Sequence, residues 1–355
     1  MNCMTKKKVL LLGCAGSPGI NFIKSLQLTD SLEVVGVDVN KYYLEMVPIR
    51  KKYLVTRERG KENEYIKKIN RIIKEEEIDF VHAQPDAEVK VLSDYRDTLL
   101  AKTLLPSKRA IDIFQDKWKT FKSLDKRNVP VPKTYDLKRE NSLKNIFSHN
   151  KDILWIRSSK GAGGKASLPV KTYEQANAWI EFWMGRGLKR ADFSISEFLP
   201  GREISTLMIW HDGKLVCSQQ KERIEWLQSN VSVSGSGTTT AIQKTVHDES
   251  VNELCTATIK AVEKNPQGVY VVDAKQNKKN TFCVTEVNAG RFFTTSLFYP
   301  TAGVNMPYIY VALRLGLPIP DVKAYNSVRK DIYWIRVADG GPAMVKEGKW
   351  TSKKI

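Results

Sequence analysis

The sequence predicts an α/β fold: an open parallel sheet at the N-terminus, followed by mixed α+β lobes. Three observations carry that expectation. A β–α–β opening spans residues 8–38, and strand-like and helical segments keep alternating to about residue 102. Farther on, the β-branched runs 271–274 and 282–291 flank a polar connector at 275–280, the pattern of a hairpin. At 355 residues, 42% hydrophobic and 27% charged, the chain has the composition of a globular protein with two or three lobes. No apolar run approaches the roughly 20 residues of a membrane span. Residues 1–8 lead straight into a strand without an apolar signal core, so neither membrane insertion nor export is expected. The cysteines (Cys3, Cys14, Cys217, Cys255, Cys283) are scattered and odd in number, which fits a reducing cytoplasm better than a disulfide framework.

The formal charge of +18 fits nucleic acid, an anionic surface or a polyanionic small substrate. The lysines, however, are dispersed over helices that also carry glutamates, and no basic block is interleaved with stacking aromatics. No nucleic-acid partner is therefore expected.

In chain order, residues 8–12 read as a buried strand running into Gly13-Cys14-Ala15-Gly16-Ser17-Pro18-Gly19, with a helical pattern (Ile20, Ile23, Leu26) behind it. Residues 33–38 form the next strand, ending in Asp38. The glycine spacing is G-x-x-G-x-x-G, a weak match to a dinucleotide fingerprint and better suited to a sharp strand-to-helix turn without ligand. A helix at 62–76, a strand at 78–82 and a helix at about 88–102 follow. Gly16, Asp38, Gln84 and Asp86 would lie at the C-terminal edge of a parallel sheet, its ligand edge. His82 reads as a packed strand histidine. A boundary falls near Pro106. Asp116 is an N-cap for the helix that opens at Lys117, and Val129-Pro130-Val131-Pro132 ends it.

The strand 153–157 bears Arg157 and precedes Ser158-Ser159-Lys160-Gly161-Ala162-Gly163-Gly164-Lys165. Such a loop suits a phosphate cover, because backbone N–H groups approach oxygens closely where side chains are absent; an ordinary hairpin loop has the same composition. It is not a P-loop. A helix at 173–184, the segment 193–203, strands at 204–210 and 215–221, a Ser/Thr/Gly-rich loop at 229–240 and a helix at 248–264 lead into the hairpin. A helix at 305–315 and a terminal hairpin at 331–350, turning at 339–342, complete the reading. In the central hairpin, Asp273 lies on the first strand. Glu286 and Asn288, two positions apart on the second, share a face. Two carboxylates and an amide converging there are hard oxygen ligands suited to Mg²⁺, and Arg291 just beyond them is placed for an anion; a polar strand face beside a turn is the alternative.

In order and spacing, these segments resemble the ATP-grasp superfamily of carboxylate–amine ligases, most closely its carbamoyl-phosphate-synthetase-like branch. The resemblance implies a Rossmann-like pre-ATP-grasp domain (1–108), a small subdomain with the Gly-rich loop (109–190) and a large subdomain with the Mg-ATP site (191–355). It implies that Lys117, Arg157 and Gly161, Ala162, Gly163 and Gly164 contact phosphate. Glu197, Phe198 and Leu199 hold adenine, and Glu203 holds the ribose hydroxyls. Asp273, Glu286 and Asn288 bind two Mg²⁺ ions, for which Mn²⁺ can substitute, and Arg291 steadies the transferred phosphoryl group. Two departures stand out. The usual Glu-x-Asn-Pro-Arg is one residue longer here, Glu286-Val287-Asn288-Ala289-Gly290-Arg291, and the first metal ligand is Asp273 where Glu or Gln is common.

The implied chemistry is activation of a carboxylate as an acyl phosphate, then attack by an amine, releasing ADP and phosphate. The small-molecule substrates would lie between Arg291 and the N-terminal edge (Gly16, Asp86), with Arg223 as a further ligand and a homodimer as the base-rate assembly. Phosphorylation of a small acid or bicarbonate without ligation, and a non-catalytic nucleotide sensor, are the alternatives.

Overall fold

In the computed structural model of the chain, the residues described are 6–57, 59–137, 142–159, 164, 166–230, 232–235, 237, 239–337 and 341–346. Strands β1 (Lys7–Leu12), β2 (Leu32–Asp38), β3 (Lys52–Leu54) and β4 (Phe80–Ala83) form a parallel sheet in the order β3-β2-β1-β4. Helices α1 (Ser17–Leu26), α2 (Lys41–Leu44) and α3 (Glu62–Glu76) connect them, and α4 (Asp86–Asp94) follows β4. The continuous apolar run of β1 serves two covered faces. Leu10 and Leu12 pack with Ile69, Ile72 and Ile73 of α3, whereas Val9 and Leu11 pack with Phe22, Ile23 and Leu26 of α1. Between β1 and α1 the backbone turns at Gly13, whose φ of +67° and whose distance of 2.2 Å from a hypothetical Cβ to Pro85 Cδ leave room only for glycine.

The helix expected over 88–102 is shorter. It ends at Asp94, and a 3₁₀ turn (Arg96–Thr98) leads into extended chain. There Lys102 bridges to the sheet edge: its N–H donates to Asp79 O at 3.1 Å, and its carbonyl accepts from Val81 N at 2.8 Å. Covering the open edge of β4 outweighs continuing the helix.

Helices α5 (Lys108–Phe114) and α6 (Lys117–Asp125) follow. As expected, Asp116 caps α6: its carboxylate accepts from Trp118 N and Lys119 N at 3.0 Å each. A second sheet, order β5-β8-β6-β7, is antiparallel and comprises β5 (Thr134–Asp136), β6 (Leu154–Ser158), β7 (Leu168–Val170) and β8 (Phe193–Glu197). Helices α7 (Ser142–His149) and α8 (Tyr173–Met184) cover it, with Ile146, Ile156, Ile180 and Ile195 in their common core. Of the Gly-rich loop, Lys160, Gly161, Ala162, Gly163 and Lys165 lie outside the described residues.

The third sheet has the order β13-β12-β9-β10-β11-β14-β15 and is antiparallel throughout. Its strands are β9 (Glu203–His211), β10 (Lys214–Trp226), β11 (Thr240–Val246), β12 (Gly268–Gln276), β13 (Phe282–Ala289), β14 (Ile332–Val337) and β15 (Gly341–Lys346). Helices α9 (Glu249–Val262), α10 (Phe298–Thr301) and α11 (Met306–Leu315) accompany it. The terminal hairpin is present, while residues 338–340 of its turn and 347–350 lie outside the described residues. Strand β10 runs five residues past Lys221, the end expected from the sequence, and carries Arg223 with it. The two larger cores extend from the parallel sheet into this one: Leu10 and Val81 share a cluster with Met208, Tyr270 and Val272, and Phe22 shares one with Ile309 and Tyr310 of α11.

Candidate active site

Antiparallel register places directly opposed side chains on one face of a sheet. Across the third sheet this produces two polar rows. One runs Glu286–Asp273–Ser205–Lys221 from β13 to β10. The other runs Lys275–Glu203–Arg223–Gln243 from β12 to β11. The hairpin expected from the sequence thus sets Asp273 opposite Glu286, and Asn288 stands one step farther along the same face. Val287, between them, is buried on the other side.

Cations flank the acids of both rows. Lys117 Nζ lies 3.6 Å from Glu286 Oε2, and Arg223 Nη2 lies 3.7 Å from Asp273 Oδ1. Arg223 also ion-pairs with Glu203, donates to Ser205 Oγ at 3.1 Å and stacks 3.9 Å over the Trp226 ring. Ser205 Oγ in turn donates to Asp273. Burial opposes ionisation of Glu286, but Lys117, Arg291 and Arg157 outweigh it and hold its carboxyl below the usual range. Asp273 goes the other way: burial, reinforced by Glu286 across the hairpin, raises it despite Arg223. Arg157, on β6, donates from Nη1 to Thr285 O at 3.2 Å, while its buried Nε has no partner among the described residues. Burial disfavours the charged guanidinium there, and Glu286 partly offsets that. An arginine left short of acceptors beside a carboxylate pair is a ready anion ligand.

A cavity of about 520 Å³ opens where the two antiparallel sheets face each other. Lys117, Arg157, Glu197, Phe198, Leu199, Glu203, Asp273 and Glu286 all line it, as does Gly164 of the Gly-rich loop. Ser234, Gly235 and Gly237 of the 229–240 loop form part of its wall. Trp155 and Trp226 add flat apolar surface. Arg223 belongs here too, locked to Glu203, rather than at the N-terminal edge beside Asp86.

The N-terminal edge forms a separate cluster. Arg291 pairs with Asp86 and donates to Asn288 Oδ1, so a carboxylate from α4 meets the residue just past β13 directly. Gln84 Oε1 accepts from Phe292 N at 3.2 Å. Asp38 accepts from Ala15 N at 2.9 Å and Asn40 N at 3.0 Å. Gly16 is the N-cap of α1. His82 is packed, as expected: it stacks on Phe22 at 4.7 Å, and burial holds it neutral, its pKa lowered to about 3.

The donor set around the hairpin fits a divalent ion. Among the described residues no group of three or more His, Cys, Asp or Glu side chains is suited to a metal. An ion here would be held by two carboxylates with the Asn288 amide oxygen as third ligand. Those are the hard donors Mg²⁺ takes, and a cation would offset the burial, and the nearby Glu286, that disfavour the charged form of Asp273.

An ATP-grasp domain model matches residues 114–295, and the chain belongs to that family. The fold is similar to N5-carboxyaminoimidazole synthetase from Staphylococcus aureus complexed with ADP: TM-score 0.70, 12% identity, 93% of this chain and 82% of that one. It is similar also to the carboxyaminoimidazole ribonucleotide synthase of Aspergillus clavatus complexed with ATP, at TM-score 0.69 and 16% identity, over 93% and 81% of the two chains. A third is the biotin carboxylase domain of Hydrogenobacter thermophilus 2-oxoglutarate carboxylase, at TM-score 0.69 and 13% identity, over 92% and 73%. No curated protein matches the chain. No helix among the described residues is long and apolar enough to cross a membrane.

Ser205, Lys221, Trp226 and Lys275 were not singled out from the sequence. The signal for the first two was there: Glu203 and Ser205, like Lys221 and Arg223, are two apart on strands and therefore share the face of Asp273.

Proposed function

We propose that the chain is an ATP-dependent carboxylate–amine ligase of the carbamoyl-phosphate-synthetase-like branch. The observation that supports this best is the meeting, in one cavity, of the paired Asp273 and Glu286 with Lys117, Arg157 and the Glu197–Leu199 turn. In this reading the main chain of Glu197–Leu199 holds adenine between apolar walls, and Glu203 accepts from the ribose hydroxyls. Lys117 and Arg157 neutralise phosphate oxygens, with Gly164 of the Gly-rich loop on the cavity wall beside them. Mg²⁺, as two ions or with Mn²⁺ in its place, would sit on Asp273, Glu286 and Asn288 and supply charge neutralisation for the polyphosphate.

A substrate carboxylate oxygen attacks the γ-phosphorus, the bond to the β-phosphate oxygen breaks, and ADP leaves. The amine nitrogen then attacks the acyl carbon, the C–O bond to phosphate breaks, and the nitrogen passes its proton to the departing phosphate. Arg291, steadied by Asp86 and Asn288, would face the phosphoryl group as it moves from ADP to the acid. Closure of the cavity over the intermediate would exclude water, to which an acyl phosphate is vulnerable.

The test is ADP release from Mg-ATP with pooled small carboxylates, with and without pooled amines, in the wild type and in Glu286→Gln. Release that needs both pools and falls at least 100-fold in the variant is expected. Release without any amine would favour phosphorylation alone. Tight ADP binding with no release would favour a sensor, and release unaffected by Glu286→Gln would overturn the site.

A further inference from the structure

Lys221 lies one strand beyond the Asp273–Ser205 pair and is 2% exposed. No carboxylate among the described residues is within ion-pair distance of it. Its Nζ donates to Gln243 Oε1 and to Thr295 Oγ1, both at 2.9 Å, and stands 3.6 Å above the centroid of Phe293. A buried ammonium satisfied only by neutral groups is costly to fold, and a methionine of similar volume would be cheaper. The charged groups facing it are Arg223 on its own strand, Arg336 on β14, and Asp273 and Glu203 across the sheet. Burial, with the two arginines, drives its pKa well down against the two acids.

Two of its three partners, Phe293 and Thr295, belong to the segment that follows Arg291. That segment leaves β13 at Ala289 and is outside regular structure until α10. Asp86 and Asn288 hold its Arg291 end. Thr295 is fully buried and is also bound by Gln243 Nε2 at 2.9 Å.

We propose that Lys221 is a positioning residue: it ties the Arg291–Thr295 segment to the sheet face, so that the guanidinium of Arg291 is held at a fixed place beside the carboxylate pair. Its effect on turnover rests on the ligase reading; the tether itself does not. Lys221→Met keeps the volume and removes charge and donors, whereas Thr295→Val leaves the lysine and removes the hydroxyl that accepts from Lys221 and Gln243 and donates to Gln243 Oε1 at 3.3 Å. Amide hydrogen exchange of the full chain is followed across residues 291–297, together with melting temperature, ADP affinity and steady-state kinetics.

Both variants are expected to exchange at least tenfold faster in that segment alone and to bind ADP within threefold of wild type. Lys221→Met should melt no lower than wild type, because a buried unpaired charge has been removed. Each should lose at least tenfold in kcat with KM for ATP within threefold. Unchanged exchange in both variants overturns the tether. So does acceleration spread over the whole third sheet with a fall in melting temperature, the mark of a merely structural lysine. Should the wild type release no ADP, the ligase reading fails while exchange still decides the tether.

Discussion

Glu88 of α4 receives the Tyr65 hydroxyl on Oε1 at 2.9 Å, and its buried Oε2 has no partner among the described residues. Burial pushes its carboxyl up to about 7, with Asp38 helping and Tyr65 and Arg57 opposing. A carboxyl raised above its unfolded value stabilises the fold fully below that value, about 4.3 for glutamate. The contribution is lost as pH rises through about 7. Glu88→Gln, which fixes the neutral form, should therefore stabilise the protein by up to about 3 kcal/mol at pH 8 and by almost nothing near pH 4. Urea midpoints at the two pH values check this; an equal effect at both would show that Glu88 does not titrate in this window. Such environments differ in how well a sequence shows them. Asp116 was legible as a cap because capping is local, and Asp273, Glu286 and Asn288 were legible because strand alternation fixes their face. Lys221 was not, since a lysine on a strand reads as solvent-facing until the segment that buries it is known. Asp86 was legible at the sheet edge, but its partner Arg291 is 205 positions away.

The central hairpin carries one more residue before its arginine than the family pattern, and the structure places the surplus at Gly290. Its φ is +84°, its N–H donates to Val269 O at 2.8 Å, and a Cβ there would stand 2.8 Å from Val89 Cγ1. The extra residue is absorbed by a left-handed turn packed against α4, and Arg291 still reaches Asp86 on that helix. Gly290→Ala adds backbone strain of roughly 1–2 kcal/mol and an overpacked methyl costing a similar amount, so a loss of about 2–4 kcal/mol is expected. Chemical denaturation measures it, and a loss under about 0.5 kcal/mol would mean that the turn relaxes without strain. Helices α3 and α8 keep a clean apolar periodicity and have the expected bounds. The helix expected over 88–102 stops early because a bridge at Lys102 to the sheet edge competes with it. The end of β10 was missed because Lys221-Glu222-Arg223 looks like the close of a strand, when it is a charged stretch paired on both sides.

Charge at the scale of the cavity explains more than the overall +18 does. Among the described residues, Lys117, Arg157, Arg202, Arg223 and Lys275 line it against Glu197, Glu203, Asp273 and Glu286, so cations and anions are interspersed over the wall. That pattern suits a polyphosphate with its counter-ions better than an extended polyanion. The cavity takes its walls from two sheets, and the two larger cores tie the parallel sheet to the one that carries Asp273 and Glu286. The Asp86–Arg291 pair joins the same two sheets at the site, so substrate bound at the N-terminal edge would act on the arginine itself. In the proposed ligase reaction a carboxylate oxygen attacks the γ-phosphorus, and the fate of that oxygen distinguishes it from other routes. It is tested most directly with ¹⁸O: the carboxylate that supports ADP release is labelled in both oxygens, and the phosphate released during turnover is analysed by mass spectrometry. One labelled oxygen per phosphate is predicted, because the amine displaces phosphate at the acyl carbon and the carboxylate oxygen stays on phosphorus. Unlabelled phosphate released alongside product would contradict the account.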